Sequence, residues 1–405
     1  MGSKDNRQVY EQGQKYIMNT YSRLPVVFVR AAMAYLWDAQ GNKYTDYIAG
    51  YGCLNVGHSN KTVVKAIKKQ VEKIIQPSNV YFNLPGVELA QKLCEATGFG
   101  KKVFFSNSGT EAVEGAIKLA RKYSIQKYGQ NRHEIISFYN SFHGRTLGAL
   151  SATAQSIKQK EFKPLLKGFK YASLNDLDSV KKQIDENTCA VIIEPIQGEG
   201  GVNCSDRGFM AQLAEVCNKR DILLIADEIQ TGFGRTGRMF AYMYYGIIPD
   251  ILVVAKSLGG GMPIGAIITG DMLAGLFGPG SHGSTFGGNA ASCAAGCAVL
   301  DFIKNKRLEE KAAKSGAYFM KKLVALKKKY SIIKDVRGIG LMLGMEFEKP
   351  IASKLVEKAH RDFLVINKVS DHTLRFLPPL IISRSNIDKL IRWLYKNISE
   401  VQDEG

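Results

Sequence analysis

Ile222-Leu223-Leu224-Ile225-Ala226-Asp227-Glu228 is a short apolar run that ends in two carboxylates. Such a run is typical of a strand that is buried on both faces of a parallel sheet. On either side of it, similar runs alternate with longer stretches of helical period, which is the pattern of βαβ units. The predicted strands are Lys102–Ser106, Glu134–Phe138, Ala190–Ile193, Ile222–Ala226 and Ile251–Ala255. The predicted fold class is therefore α/β, with a mostly parallel central sheet flanked by helices.

Polar clusters follow every predicted strand. In open α/β sheets, ligands bind beyond the carboxyl ends of the strands. Any one cluster could be an ordinary solvated loop, but together they predict a single site at that edge of the sheet. In chain order the clusters are Asn107-Ser108-Gly109-Thr110, Ser141-Phe142-His143-Gly144-Arg145, Glu194-Pro195-Ile196-Gln197-Gly198-Glu199, Asp227-Glu228-Ile229-Gln230 and Lys256.

Lys256 and Asp227 form a chemically meaningful pair. A desolvated lysine amine beside glycines suits a Schiff base with an aldehyde cofactor, and a carboxylate suits a protonated pyridine nitrogen. Pyridoxal phosphate needs both groups. Taken alone, Lys256 could be a lysine that reaches solvent from a strand end. Asp227-Glu228 could be a magnesium-binding pair, but the chain has no Gly-x-x-x-x-Gly-Lys-Ser/Thr loop for a triphosphate.

The phosphate and the substrate also have candidate partners. Ser106–Thr110 precedes a predicted helix and offers backbone amides to a phosphate, although Ser108 and Glu111 equally fit a simple capping box. Residues 283–289 form a second small polar cluster of the same character. Phe142 could cover a pyridine ring, and Arg145 and Arg375 are candidate carboxylate-binding residues.

Composition sets outer bounds on the function. The 405 residues carry 55 Lys and Arg against 37 Asp and Glu, a net charge of +18, which invites a nucleic-acid-binding hypothesis. No helix-turn-helix, zinc or RNA-binding aromatic motif supports that hypothesis, and the lysines lie at helical spacing as on a solvated face. No apolar stretch reaches the roughly 18 residues of a membrane span. The polar amino terminus predicts a cytoplasmic chain. The seven cysteines are an odd number and include no Cys-x-x-Cys pair, so neither disulfides nor a bound metal is predicted.

The two ends of the chain differ from its middle. Val26–Asp46 resembles a small antiparallel meander with a turn at Gly41-Asn42. Lysine-rich amphipathic helices follow Leu300, and then Gly338–Gly344 and Thr373–Phe376 are predicted strands of a smaller α+β domain. The predicted domains are an amino-terminal segment 1–50 that joins the small domain, a large domain 51–299 and a small domain 300–405.

The motifs together resemble the class III, or ω-amino acid, aminotransferases of PLP fold type I, and among them most closely the acetylornithine aminotransferases. The resemblance covers nearly the whole chain. Its motifs are Tyr35-Leu36-Trp37-Asp38, Gly57-His58, Ser78-Asn79, Asn107–Ala112, Phe142–Thr146, Glu194–Gly201, Asp227–Gly237 and Ala255-Lys256.

The resemblance implies a role for each matching residue. Lys256 would bind the cofactor aldehyde and later carry a proton, with Asp227 on the ring nitrogen and Gln230 on the ring hydroxyl. Phe142 and Ile229 would cover the two ring faces, Gly109 and Thr110 would bind the phosphate, and Glu228 is included among the cofactor-binding residues. Thr285 would reach the phosphate from a neighbouring subunit, which implies a homodimer. The implied substrate-binding residues are Arg145, Ser284, Arg375, Glu199, Tyr21 and Tyr51. Arg375 would bind the α-carboxylate of glutamate, and Glu199 would pair with Arg375 while the other substrate is bound.

The implied reaction is transfer of the δ-amino group of N-acetylornithine to 2-oxoglutarate in arginine biosynthesis. At positions 51 and 21 the tyrosines of this chain resemble those of ornithine δ-aminotransferases, so ornithine stays open as the donor. Other class III donors, namely succinylornithine, acetyl-lysine and 4-aminobutyrate, also stay open. A PLP mutase or decarboxylase on the same fold also stays open.

Overall fold

The computed structural model describes residues 5–403. Its strands are β1 (Phe28–Ala32), β2 (Tyr35–Asp38), β3 (Lys43–Asp46), β4 (Lys102–Ser106), β5 (Glu134–Phe138), β6 (Phe169–Ala172), β7 (Thr188–Ile193), β8 (Ile196–Gln197), β9 (Asn203–Cys204), β10 (Leu223–Asp227), β11 (Ile251–Val254), β12 (Gly265–Thr269), β13 (Ile333–Ile339), β14 (Met342–Phe347), β15 (Leu364–Val365), β16 (Asn367–Ser370) and β17 (Thr373–Phe376). Its α-helices are α1 (Asn6–Tyr16), α2 (Ala49–Gly52), α3 (Lys61–Val71), α4 (Leu84–Thr97), α5 (Gly109–Tyr128), α6 (Leu147–Ala152), α7 (Ser156–Gln159), α8 (Leu177–Gln183), α9 (Arg207–Lys219), α10 (Ala241–Tyr245), α11 (Ala290–Asn305), α12 (Leu308–Lys329), α13 (Ala352–Arg361) and α14 (Arg384–Asp403).

A seven-stranded sheet forms the centre of the fold, in the order β4-β12-β11-β10-β7-β5-β6. The pairs from β11 to β6 are parallel, and β12 alone runs antiparallel to both of its neighbours. Strand β4 therefore runs in the same direction as the parallel strands. The predicted α/β fold with a mostly parallel sheet is confirmed, and the five predicted strands all belong to this sheet.

The central strands are buried on both faces, as their continuous apolar sequence indicates. Alternate residues of β10 belong to two separate hydrophobic clusters: Leu224 packs with helix residues such as Phe209 and Leu213 of α9, and Ile225 packs with Ala116 of α5. Because side chains alternate across a strand, a helix layer on each face is required to cover both sets. The sheet therefore lies between two helical layers and leaves its strand ends free to form a site.

Two further four-stranded sheets lie outside the central sheet. The predicted amino-terminal meander is confirmed as β1-β2-β3, and β15 joins it in parallel through Leu364 opposite Thr45. The second sheet has the order β13-β14-β17-β16 and is antiparallel. Strand pairing thus brings residues near both ends of the chain together, as the predicted small domain requires. The domain boundaries at 51 and 300 stay a prediction.

Some strand predictions need correction. The sequence pattern did not predict β6 or β12, because β6 is a half-exposed edge strand and β12 follows glycines that were assigned to the site. The predicted strand over Gly338–Gly344 is instead a hairpin, because Gly340 adopts a φ of +60° between β13 and β14.

The lysine-rich helices carry their charge on solvent-facing sides. Helix α12 buries Leu308, Phe319 and Leu323, whereas Lys328 and Lys329 are exposed. This arrangement agrees with the solvated-face interpretation of the basic residues. Within residues 5–403, no helix is both long and apolar enough to cross a membrane.

Candidate active site

A cavity of about 420 Å³ opens at the carboxyl ends of the central strands. All five predicted strand-end clusters contribute to its wall, so the predicted convergence is observed. The lining residues are Cys53, Asn107, Ser108, Gly109, Thr110, Phe142, His143, Gly144, Arg145, Glu194, Glu199, Asp227, Ile229, Gln230, Ala255, Lys256, Gly261, Met262, Pro263 and Ile264.

Lys256 lies where β11 ends and a single 3₁₀ turn begins. Its backbone φ is +44°, a left-handed conformation that is costly for a residue with a side chain and that is often retained at functional sites. Next to it, Ser257 Oγ donates a 2.5 Å hydrogen bond to the carbonyl of Gly52 and anchors the turn. Burial lowers the pKa of the Lys256 amine, and Glu199 opposes that shift while Arg375 adds to it. Lys256 is therefore a buried amine with a greater neutral fraction than a surface lysine has.

Asp227 is the last residue of β10 and is almost fully buried. Its Oδ2 lies 2.7 Å from His143 Nδ1, and its Oδ1 accepts a 3.1 Å hydrogen bond from the backbone N–H of Ile229. His143 is fully buried, and its Nε2 has no hydrogen-bond partner among the described residues. Asp227 is thus a carboxylate held in one orientation on the cavity wall.

The amino terminus of α5 forms another side of the cavity. Ser108 Oγ accepts from the backbone N–H of Glu111 at 3.3 Å, and Glu111 Oε2 accepts from the backbone N–H of Asn107 at 2.6 Å, so the capping interpretation is correct. The N–H groups of Gly109 and Thr110 still have no acceptor inside the helix, since they lie in its first turn. Capping and anion binding are therefore compatible here.

Gly109 is required by a close packing contact. A Cβ atom at this position would lie 2.8 Å from Cδ1 of Ile229. The absence of that atom lets Ile229 extend over the amino terminus of α5, where both residues line the cavity.

Arg375 is buried on β17 and is held by three side chains. Its Nη1 donates to Glu199 Oε1 at 2.6 Å and to Gln230 Oε1 at 3.1 Å, and its Nη2 donates to Asn367 Oδ1 at 2.9 Å. Burial alone would raise the pKa of Glu199, but Arg375 and Lys256 lower it further than burial raises it. The pair is therefore a guanidinium with its carboxylate partner, beside the cavity that holds Lys256.

The sequence analysis placed Glu194 in a strand-end cluster without giving it a role, and it did not select Asn367 at all. Glu194 is buried, accepts from the backbone N–H of Phe142 at 2.9 Å, and has a pKa of about 7 because burial disfavours its charged form. Its position directly after β7 was the available signal. Asn367 binds Arg375 from the neighbouring strand β16, and no local pattern marks it.

Several predicted site residues lie outside the cavity. The Glu228 carboxylate accepts two 2.7 Å hydrogen bonds from the backbone N–H groups of Ala241 and Tyr242. Tyr51 packs with its ring centroid 5.6 Å from Cζ of Arg375, and Tyr21 is 71% exposed.

Ser284 and Thr285 also lie outside the cavity of their own chain. Ser284 Oγ accepts from Asn107 Nδ2 at 3.0 Å, and the Thr285 carbonyl accepts from Gln76 Nε2 at 2.7 Å. Both residues therefore lie beside the site, on the side where residues 76–82 run.

The residues of the cavity fit pyridoxal phosphate. Lys256 offers an amine for an aldehyde, Asp227 a carboxylate for a ring nitrogen, and the amino terminus of α5 free N–H groups for a phosphate. Phe142 and Ile229 supply apolar faces for a ring. Fold and site together define a PLP-binding protein of fold type I.

Comparison with known proteins narrows this class. The sequence model of the family described as Aminotransferase class-III matches residues 16–398. The acetylornithine aminotransferase of Aquifex aeolicus is 50% identical over 93% of this chain and 98% of its own length. The acetylornithine aminotransferase of Caldanaerobacter subterraneus subsp. tengcongensis is 47% identical over 96% of this chain and 98% of its own length. The chain belongs to the class III aminotransferases.

Solved structures agree with this assignment. The ornithine aminotransferase of Toxoplasma gondii ME49 superposes with a TM-score of 0.95 at 32% identity, covering 99% of this chain and 97% of its own. The acetylornithine aminotransferase of Elizabethkingia anophelis superposes with a TM-score of 0.88 at 33% identity, covering 98% of this chain and 100% of its own. Similarity of fold thus extends to enzymes with either name, while the more identical relatives have the acetylornithine name.

Proposed function

We propose that the protein is a cytoplasmic, PLP-dependent aminotransferase of arginine biosynthesis. It transfers the δ-amino group of N²-acetyl-L-ornithine to 2-oxoglutarate, which gives N-acetyl-L-glutamate 5-semialdehyde and L-glutamate. The observation that carries the proposal is the amine of Lys256 in one cavity with Asp227 and Glu199, where Glu199 is ion-paired to the buried Arg375 beside the cavity. Relatives named acetylornithine aminotransferase at 42–50% identity support the choice of donor.

Each half-reaction requires a base and a fixed cofactor. Bound pyridoxal phosphate supplies an aldehyde for the amino group and a ring that withdraws electrons from the neighbouring carbon. Lys256 Nζ, with its lowered pKa, takes the proton from the amine-bearing carbon of the substrate. Asp227 would hold the ring nitrogen, and its contacts with His143 and the Ile229 N–H keep its carboxylate in position.

The Arg375–Glu199 pair lets one site accept two kinds of amine. While Glu199 is paired with Arg375, the charge of the guanidinium is neutralised. A substrate whose reacting amine is terminal has no carboxylate next to the reacting carbon, so it can approach Lys256 without needing Arg375. When glutamate or 2-oxoglutarate binds, its α-carboxylate replaces Glu199 on Arg375. Arg145 takes the carboxylate farther from the reacting carbon in both cases.

A panel of amine donors with 2-oxoglutarate tests the proposed donor. We expect kcat/KM for N-acetylornithine to exceed that for ornithine, succinylornithine, acetyl-lysine and 4-aminobutyrate by at least about tenfold, which corresponds to roughly 1.4 kcal/mol. Ornithine is the second candidate, because Tyr51 lies against Arg375. A clear preference for ornithine would replace the proposed donor but leave the reaction type unchanged.

The same assay on Glu199→Gln tests the proposed exchange of partners in the Arg375–Glu199 pair. The variant removes the charge that competes for Arg375, so we expect a lower KM for 2-oxoglutarate together with slower reaction of the terminal-amine donor, each by a few-fold to tenfold. A variant with both constants unchanged would contradict the proposed exchange of partners on Arg375.

We further propose that the protein acts as a homodimer through an exposed apolar surface. This surface, here called the 74–87 surface, contains Ile74, Ile75, Val80, Tyr81, Phe82, Leu84 and Val87, all exposed, with Phe82 at 95%. Large exposed apolar patches of this kind mark association sites. Asn79 Nδ2 donates to the Ser284 carbonyl at 2.6 Å, so this surface also holds the segment that contains Ser284 and Thr285. A second copy docked here could therefore contribute Thr285 to the opposite cavity.

Phe82→Glu is expected to shift the protein from dimer to monomer at micromolar concentration, since a charge would be buried without a partner. Sedimentation velocity measures the change. Ile248→Glu is the matched control, because Ile248 is also 70% exposed but lies outside the 74–87 surface. A monomeric wild type, or a Phe82→Glu variant that stays dimeric, would contradict the proposal.

A further inference from the structure

Two cations from separate segments approach the same aromatic ring on the cavity wall. The Cζ atom of Arg145 lies 5.5 Å from the ring centroid of Phe142, and Nζ of Lys158 lies 5.7 Å from that centroid. Arg145 belongs to the loop after β5, whereas Lys158 belongs to the short helix α7. The fold therefore places two positive charges around Phe142, and only Arg145 was expected there.

Neither cation has a carboxylate partner. Among the described side chains, those of residues 5–400, no Asp or Glu oxygen lies within 4.0 Å of the charged nitrogens of Arg145 or Lys158. Lys158 Nζ donates to the neutral Oε1 of Gln155. Since an ammonium group has three donors, Lys158 keeps N–H groups available for a further acceptor.

Lys158 acts electrostatically on the cavity. It is half-buried; burial and Arg145 lower its pKa, while Glu199 and Glu194 oppose that shift. Those three charged residues line the cavity, as does Phe142, whereas Lys158 lies just outside the lining with its Nζ near the Phe142 ring. Arg145 lowers the pKa of Lys158, so the two cations repel each other, and neither forms an ion pair within 4.0 Å among the described side chains; an anion bound by both would relieve this repulsion.

The proposed reaction supplies such an anion. With Arg375 taking the carboxylate next to the reacting carbon of 2-oxoglutarate, the other carboxylate of this substrate needs a separate partner. A carboxylate has two oxygens and can accept from an arginine and a lysine at once.

We propose that Lys158 is a specificity-determining residue that, with Arg145, binds the carboxylate remote from the reacting carbon. The inference rests on the proposed function and deepens it: the substrate class is an α-keto or α-amino dicarboxylate for one half-reaction, and an ω-amine with a distant carboxylate for the other.

Binding of two unreactive acids to the holoenzyme tests this role. Glutarate has both carboxylates, whereas pentanoate has the same chain length and only one, and calorimetry gives Kd for each. We expect Lys158→Gln to weaken glutarate binding about 5- to 20-fold and pentanoate binding less than about twofold. Lys158→Arg, which keeps the charge, is expected to stay within about threefold of wild type for glutarate. The KM for 2-oxoglutarate should rise with kcat nearly unchanged.

Lys160→Gln is the matched control, since Lys160 is a neighbouring exposed lysine. It should change neither Kd. A wild-type preference for glutarate that survives Lys158→Gln overturns the role of Lys158 alone, as does an equal loss for both acids. A wild-type holoenzyme with no preference for glutarate overturns the proposed function and this inference with it.

Discussion

Lys256→Ala is expected to lower kcat by at least about 10⁴-fold, because the variant loses the amine that we propose both binds the cofactor and moves the proton. No other described lysine lines the cavity, so nothing nearby can replace it. The visible absorption band of the lysine-bound cofactor should disappear from the purified protein. Absorbance and a glutamate-coupled assay measure the two losses.

A small amine provides the control for this loss. Methylamine added to Lys256→Ala should restore part of the proton transfer, because it can enter the space that the lysine leaves. Circular dichroism checks that the variant is folded. Turnover at the wild-type rate together with an unchanged absorption band would contradict the assignment of Lys256.

Asp227→Asn is expected to lower kcat by about 10²- to 10³-fold and to weaken cofactor binding. The substitution keeps the volume of a residue that is nearly fully buried but removes the charge that would hold a protonated ring nitrogen. After the substitution the Ile229 N–H can still donate to Oδ1, and the amide NH2 can donate to His143 Nδ1 in place of the carboxylate that faced it, so loss of charge is the main change. Steady-state kinetics and a cofactor titration measure the two effects.

Glu228→Gln is the matched comparison for Asp227→Asn. Glu228 is the next residue and is fully buried, but its carboxylate accepts from backbone N–H groups of α10 and does not line the cavity. We expect this variant to lose thermal stability and to change kcat by less than about threefold. A loss of activity as large as that of Asp227→Asn would show that the two carboxylates act together.

Much of the fold could be predicted because it is encoded locally. The strands β4 and β5 were predicted at their observed bounds, and Asp227 and Lys256 were predicted at strand ends. A strand buried on both faces needs a continuous apolar run. A residue that directly follows such a strand lies at the carboxyl ends of the sheet's strands, whatever the more distant sequence is. The family motifs then assigned chemistry to those positions.

Contacts between distant segments could not be obtained in this way. The resemblance paired Arg375 with Glu199, and that contact is observed. The bonds of Arg375 to Gln230 and Asn367 were not predicted, because they depend on how the sheet that contains β17 packs against the central sheet. The approach of Lys158 to Phe142 likewise depends on how α7 packs, because the helix spans only four residues.

The sequence by itself therefore determined the α/β class and the position of the site at the strand ends. It also predicted the chemistry of Lys256 and Asp227, an amine for an aldehyde and a carboxylate for a ring nitrogen. Only the tertiary structure decided which side chains face the cavity, that Gln230 and Asn367 also bind Arg375, and that Lys158 lies near Phe142 together with Arg145. The physical reason is that periodicity and strand ends are properties of neighbouring residues, whereas ion pairing and burial depend on the packing of residues far apart in the chain.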